Sequence, residues 1–335
     1  MSGLLKSIVF VLLIITTVLP ATLYADELVI YSARKEHLIQ PLIDTYSAET
    51  GTKIRFITDK EGPLLQRLKA EGKNTNADLL ITVDAGNLWH AGSEGMLQPV
   101  SSEILEKNVP AHLRDPEGYW FGLSERARTI VYSTERVTAA ELDSYEALGE
   151  EKWQKRLLLR TSQKVYNQSL IAMLIAEHGQ EQTERIVRAW VTNLAAPPFS
   201  NDTQVMDAIL AGQGVVGIVN TYYFGRLQKK NPELKLALFW PNQEAGGVHV
   251  NVSGAGVTRY AKNRAGAIKF LEWLSSEKAQ NLFADANMEY PVNPRVRAHP
   301  FVTAWGEFSP NTQNLADAGR LQSDAIMLMD RAGYR

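Results

Sequence analysis

From residue 27 onward the chain alternates short apolar runs with amphipathic ones, and this alternation limits its possible folds more than any other feature. ELVIYS (27–32) predicts a strand. HLIQPLIDTYSAETG then puts Leu38, Ile39, Leu42, Ile43 and Tyr46 on one helical face and ends at Gly51, a plausible C-terminal cap. KIRFIT (53–58) returns to strand, and GPLLQRLKAEG sets Pro63 at a helix start, where its missing N–H costs nothing. ADLLITVDA (77–85) is a third strand with a near-continuous apolar run. Strand, helix, strand, helix, strand reads as a parallel sheet covered on both faces. The pattern restarts with the strand LLLRTS (157–162), the helix opened by YNQSLIAMLIAEHG and the strand VVGIVN (215–220). HVNVSGAGVTRY (249–260) resumes strand character, and NRAGAIKFLEWLSS is an amphipathic helix. No fixed-period repeat is visible, so two α/β lobes of similar size are the economical reading.

The first 25 residues have one early charge, Lys6, an uncharged apolar run from Ile8 to Leu19, and Ala25 before Asp26. This is a signal-peptide layout. The run is 12 residues long, short of the roughly 20 that a membrane span needs; an uncleaved anchor is the alternative. The chain has no cysteine, which rules out a lipid-anchored export signal, disulfides, a thiolate nucleophile and zinc–sulfur sites. The mature protein is therefore expected free in an extracytoplasmic space, most simply a bacterial periplasm. Removing residues 1–25 from 335 leaves 310, enough for two domains of about 150 each. The formal charge of −2 becomes −3 without Lys6, which gives no electrostatic case for nucleic acid or an anionic membrane.

Catalytic templates fail. There is no G-x-S-x-G, H-E-x-x-H or Walker loop, and the histidines at 37, 90, 112, 178, 249 and 299 have no metal-ligand spacing. Gly212 to Gly217 match G-x-G-x-x-G, but a nucleotide fingerprint needs a strand before the glycines and a helix after them. Here the helical stretch 203–211 precedes and the strand follows, so Gly212 and Gly214 read as helix cap and turn. The chain has the character of a binder.

Tyr222 and Tyr223 stand side by side where the strand 215–220 stops, at the carboxyl edge where ligands of open α/β sheets sit. Tyr166 follows the strand 157–162 by four residues and can occupy the same edge. Adjacent side chains diverge on a regular strand, so the pair can share a target only through the bend of a strand-to-helix turn. Packing as core aromatics remains the alternative for these rings.

RTSQKVYNQSL (160–170), NTYYFGRL (220–227), ADLLITVDAGNLW (77–89), WFGLSERARTIVYS (120–133), SGAGV (253–257) and EYPVNP (289–294) resemble the periplasmic ferric-ion-binding proteins, substrate-binding subunits of bacterial ABC importers. The resemblance runs from about residue 27 to the C-terminus. It implies a two-lobe periplasmic binding protein of type II, with residues 26–125 plus about 250–300 in one lobe, 126–249 plus about 301–335 in the other, and a ligand cleft between them. It implies that Tyr222, Tyr223 and Tyr166 bind Fe(III) as phenolates, as suits a hard trivalent cation. Many members place a histidine four residues after the tyrosine that ends the first strand; after Tyr31 this chain has Lys35. Others use a glutamate in the third strand, where it reads Ile81-Thr82-Val83. Tyr31 and His37, two positions late, are the possible substitutes. Water or an anion must complete the iron shell; by the same resemblance Arg34 and Arg126 face the cleft and would hold a carbonate-like anion there, while Arg128 reads equally as an ordinary surface or interlobe salt bridge. The implied partner is an inner-membrane ABC permease, and the protein is expected to be a monomer and not an enzyme. A binder of the same fold for an organic or oxyanionic solute is the rival reading, and a secreted enzyme with a tyrosine acid or base is a further one.

Overall fold

The computed structural model describes residues 27–335, apart from the side chains of residues 285 and 286; the expected signal segment lies outside the described residues. β1 (Glu27–Ser32), α1 (Glu36–Thr50), β2 (Lys53–Thr58), α2 (Glu61–Glu71) and β3 (Leu79–Val83) follow the predicted alternation. α1 buries Leu38, Ile39, Leu42, Ile43 and Tyr46 and ends at Gly51, which takes φ 71°. Pro63 is the third residue of α2. β3 stops two residues before the predicted end because Asp84 turns to φ 78° and caps α3 (Ala85–Ser93) through its side chain.

After α4 (Glu103–Asn108) comes β4 (Phe121–Ser133), the strand that organises the molecule. The chain continues through β5 (Leu157–Leu158), α5 (Val165–Thr192), α6 (Asp202–Leu210), β6 (Val216–Asn220), α7 (Thr221–Lys230), β7 (Leu236–Phe239) and β8 (Val250–Val257). It ends with α8 (Arg264–Leu274), α9 (Glu277–Asn287), β9 (Tyr290–Pro291), α10 (Pro300–Thr303), α11 (Ala316–Arg320) and α12 (Gln322–Arg331). No helix among the described residues is long and apolar enough to cross a membrane.

The strand order is β2-β1-β3-β8-β4-β6-β5, with β7 and β9 also on β4. β1 pairs with β2 and β3 in parallel, and β5 with β6. β8 runs antiparallel between β3 and β4, so the first sheet is mixed and not purely parallel as the early alternation suggested. The reason is the chain path: β4 leaves this sheet and β8 returns to it. From Phe121 to Ala127, β4 pairs with β8; from Arg128 it pairs with β6 and, further along, β7.

The predicted strand 157–162 shrinks to the two residues of β5. Beyond it the chain stays extended beside Phe199, bonded at Phe199 N–H to Leu159 O (2.9 Å) and Thr161 N–H to Phe199 O (2.7 Å). Pro197 and Pro198 precede Phe199 and have no N–H to extend a ladder. The G-x-G-x-x-G stretch follows α6 and leads into β6: Gly212 turns the chain at φ 80°, and a Cβ on Gly217 would stand 2.7 Å from Leu158 O. Those glycines serve a helix exit and close strand packing. The main core includes Leu28, Ile30, Leu80, Trp120, Phe270 and Trp190, and a second apolar cluster (Val205, Met206, Ile209, Val219, Phe224) lies beneath α6 and α7.

Candidate metal centre

β6 feeds directly into α7, whose second and third residues are Tyr222 and Tyr223. Their rings stack at a tilt of 33°, with centroids 4.5 Å apart. Tyr166 is the second residue of α5. All three line one cavity of about 200 Å³, together with residues from the β1 side such as Arg34, Lys35 and Val83. Tyr166 and Tyr222 are buried and Tyr223 is half-buried. The tyrosines occupy the first turns of α5 and α7, the positive ends of those helix dipoles, where negative charge is favoured.

Arg128 holds this arrangement from beneath. Its Nε donates to Asn167 Oδ1 (2.9 Å), its Nη1 donates to Asn220 Oδ1 (3.1 Å) and pairs with Asp202 (3.2 Å), and it does not line the cavity. Asn167 adjoins Tyr166, and Asn220 Nδ2 donates to the Tyr222 hydroxyl at 3.3 Å. Arg128 therefore ties the roots of α5, α6 and β6 together, a buried ion-pair role.

The cleft is cationic. Its wall has Arg34, Lys35, Arg126, Lys164 and Arg226 against Glu61 and Glu289, a formal excess of 5 − 2 = +3. Arg126, Arg160 and Lys164 lie 5.1–5.5 Å from the Tyr166 ring centre, and Arg226 lies 5.1 Å from that of Tyr222. Arg160 also faces Tyr223 and pairs with Asp202 at 3.5 Å. Burial raises the pKa of Tyr166 and the charge of Tyr223 raises it further, while Arg126, Lys164 and a hydrogen bond from Tyr222 pull it back. Burial pushes Tyr222 higher still, helped by Tyr166 and Tyr223. Tyr166 and Tyr222 thus keep their protons until something replaces them.

Arg34 and Arg126 both line the cleft. Arg34 pairs with Glu289 at 2.9 Å and donates to Ser124 Oγ at 3.0 Å, which leaves its Nε buried without a partner. Arg126 pairs with Asp84 at 3.1 Å, and its Nη1 is likewise buried and unpartnered. Asp84 is fixed in turn by Ser169 (2.6 Å) and Asn251 (3.1 Å); burial lifts its pKa although Arg126 and these bonds oppose the rise. Each guanidinium thus keeps one buried nitrogen without a hydrogen-bond partner. Lys35, in place of the family's histidine, and Val83, of the Ile81–Val83 stretch that has no glutamate, also line the cleft and bring neither imidazole nor carboxylate to it.

Tyr31 is not in this group. Its hydroxyl donates to Glu71 at 2.9 Å and its ring lies under Arg67, away from the cavity. His37 is exposed on α1 and does not line the cavity either. Sequence reasoning missed Glu61, Arg160, Lys164 and Arg226. Glu61 accepts from Lys164 Nζ at 2.6 Å across the cleft mouth. Arg226 carried a legible signal, since it stands three and four residues after the tyrosine pair, the spacing that brings helical side chains together.

A family model described as bacterial extracellular solute-binding protein matches residues 41–310. The chain is 43% identical to iron uptake protein A1 of Synechocystis sp., covering 92% of this chain and 88% of that one. It is similar to the structure of a Trichodesmium protein (IdiA, FutA) in complex with iron and citrate ligands, with a TM-score of 0.90, 43% identity, and coverage of 92% of this chain and 100% of that one. A ferric iron-binding protein A of Mannheimia haemolytica, in an open conformation, matches with a TM-score of 0.87 at 33% identity, covering 92% of this chain and 99% of that one.

Proposed function

The chain belongs to the bacterial extracellular solute-binding proteins and to the ferric-iron-binding group within them, and on that premise we propose that it captures Fe(III) through three tyrosinates and delivers it to an ABC permease. The observation that carries this reading is the convergence of Tyr166, Tyr222 and Tyr223, from two helix N-termini, on one small cationic cavity. Iron is the cargo. Three phenolates offset its three charges, and each forms by losing a proton, which at Tyr166 and Tyr222 burial otherwise retains.

Three phenolates fill half of an octahedral shell. The surplus of cations in the wall, with Arg34 Nε and Arg126 Nη1 left over, supports a small oxyanion such as carbonate in the remaining positions. Water completes whatever the anion leaves. The two carboxylates that line the cavity are already engaged, Glu61 by Lys164 and Glu289 by Arg34. The protein works outside the cytoplasm, in the periplasm, as a binding protein and not as an enzyme.

Two groups of elements face each other across the cleft, one built on β1, β2, β3 and β8 and the other on β5, β6, α5 and α7, and β4 joins them. Closure about this connection would present the permease with a shape that depends on loading.

The deciding measurement is a visible spectrum with metal analysis on protein purified without chelators and titrated with ferric citrate. A phenolate-to-iron charge-transfer band at one iron per chain is expected. A colourless protein that retains no iron would sink the proposal in favour of an organic or oxyanionic solute.

A further inference from the structure

Glu125 and Arg126 are neighbours on β4 and open onto different cavities. Arg126 lines the tyrosine cleft. Glu125 lines a second cavity of about 450 Å³, between the β4–β9 pair and residues 303–310. This volume lies within the range of small-molecule sites, roughly 300–1,000 Å³.

Two polar groups in its wall have no partner. Glu125 is 9% exposed, and no hydrogen bond reaches its carboxylate among the described residues. The Tyr290 hydroxyl is buried without a partner as well. A buried carboxylate with no hydrogen bond or ion pair is costly even with the charge of Arg126 nearby, and a cation supplied from outside would reduce that cost. No lysine or arginine lines the cavity, while Glu307 adds a second negative charge at its exposed rim. Apart from Thr303, the side chains of the remaining wall are aromatic and apolar. The rings of Tyr290 and Phe308 meet at 83° with centroids 5.3 Å apart, and Trp240 stacks behind Phe308 at 4.4 Å. Val296 and Pro291 complete it. Two carboxylates, one of them exposed, make a poor cage for a bare metal ion, whereas aromatic faces beside a carboxylate suit a cation that carries carbon.

We propose that this cavity binds a small organic cation of the alkylammonium type, with its N–H donors on Glu125 and the Tyr290 hydroxyl and its carbon atoms against Phe308 and Val296. The site is separate from the tyrosine cleft and does not depend on the iron reading.

The test is calorimetric titration of the full chain with n-butylammonium at pH 8, above the titration of Glu125, which burial pushes up to about 7 against the pull of Arg126. n-Butanol, butyrate and calcium serve as controls. Saturable one-to-one binding of butylammonium is expected, at least tenfold tighter than any control. Glu125→Gln should weaken it tenfold or more and leave the iron titration unchanged, and Phe308→Leu should weaken it severalfold. Circular dichroism checks the fold of each variant, and if Glu125→Gln does not fold, Phe308→Leu decides. Absence of saturation, equal affinity for n-butanol, undiminished binding in the folded variants, or loss of binding in Tyr222→Phe would overturn the proposal.

Discussion

Tyr222 and Tyr166 are buried phenols surrounded by guanidinium and ammonium groups, and two opposing effects meet in them. Burial favours the neutral phenol, whereas Arg126 and, for Tyr166, Lys164 favour the anion; burial wins while no metal is present. Each phenol that becomes a ligand must therefore give up a proton. Replacing each tyrosine with Phe keeps the ring and removes the oxygen, so thermal stability should change little. Loss of groups that merely support metal ligands typically costs 10–100-fold, so loss of a ligand oxygen should cost at least about a hundredfold in iron affinity. Iron titration by absorbance checks this, and a Tyr222→Phe/Tyr223→Phe variant with full colour would return the pair to the core. Arg34 belongs to the same scale. Arg34→Lys keeps the charge but loses the planar fork, so iron affinity should fall, and the fall should be larger with bicarbonate present than in carbonate-free buffer. Equal affinity of the native protein in both buffers would leave a site of tyrosines and water.

Among the elements, those with a strong period were legible. α1 buries the five residues its pattern named because that face packs on β2, α8 and α9. The strand 157–162 was not legible, since its apolar run says nothing of Pro197 and Pro198 in the neighbouring segment. The antiparallel direction of β8 was hidden too, because it follows from a chain that leaves the first sheet and returns. The tyrosines could be placed because strand ends and helix starts mark an edge. Arg160, Lys164 and Glu61 could not, because charged residues look alike in sequence whether they face a cleft or bulk water. Arg128 is the instructive case: it reads as a surface or interlobe charge and is instead the buried tie between α5, α6 and β6. Arg128→Met would leave Asp202 buried with Arg160 as its remaining ion-pair partner. Removing one side of a buried pair costs about 3–5 kcal/mol, so the melting temperature should drop clearly. Iron affinity should fall as well, because Asn167 and Asn220 lose their common anchor. A variant with native melting temperature and native affinity would show that the tie is dispensable.

For the whole molecule, the question is what holds the two sides of the cleft together. Glu61 at the start of α2 meets Lys164 at the start of α5 at 2.6 Å, and Arg226 of α7 reaches Asn287 at the end of α9. The glutamate–lysine pair is partly exposed, with side-chain exposures of 25% and 29%, so its worth is on the order of 1 kcal/mol. If the two sides close about β4 as proposed, that suffices to bias the closure without locking it. Burial alone would raise the Glu61 pKa, but hydrogen bonds from Lys164 and from its own backbone N–H outweigh it, and the net shift is downward. A carboxylate lowered on folding contributes stability that is present above its unfolded pKa of about 4.3 and is lost as pH falls through its folded value. Acid should therefore loosen the mouth of the cleft in the same direction that it reprotonates the phenols, and iron release should steepen below about pH 4. Glu61→Gln isolates the latch from the ligands. At neutral pH it should speed iron release by up to about fivefold, the equivalent of 1 kcal/mol, with the visible band unchanged. Stopped-flow release into a chelator, with small-angle scattering to follow closure, measures both. A shifted band would make Glu61 an iron ligand, whereas an unchanged rate and radius would leave closure to Arg226 and Asn287.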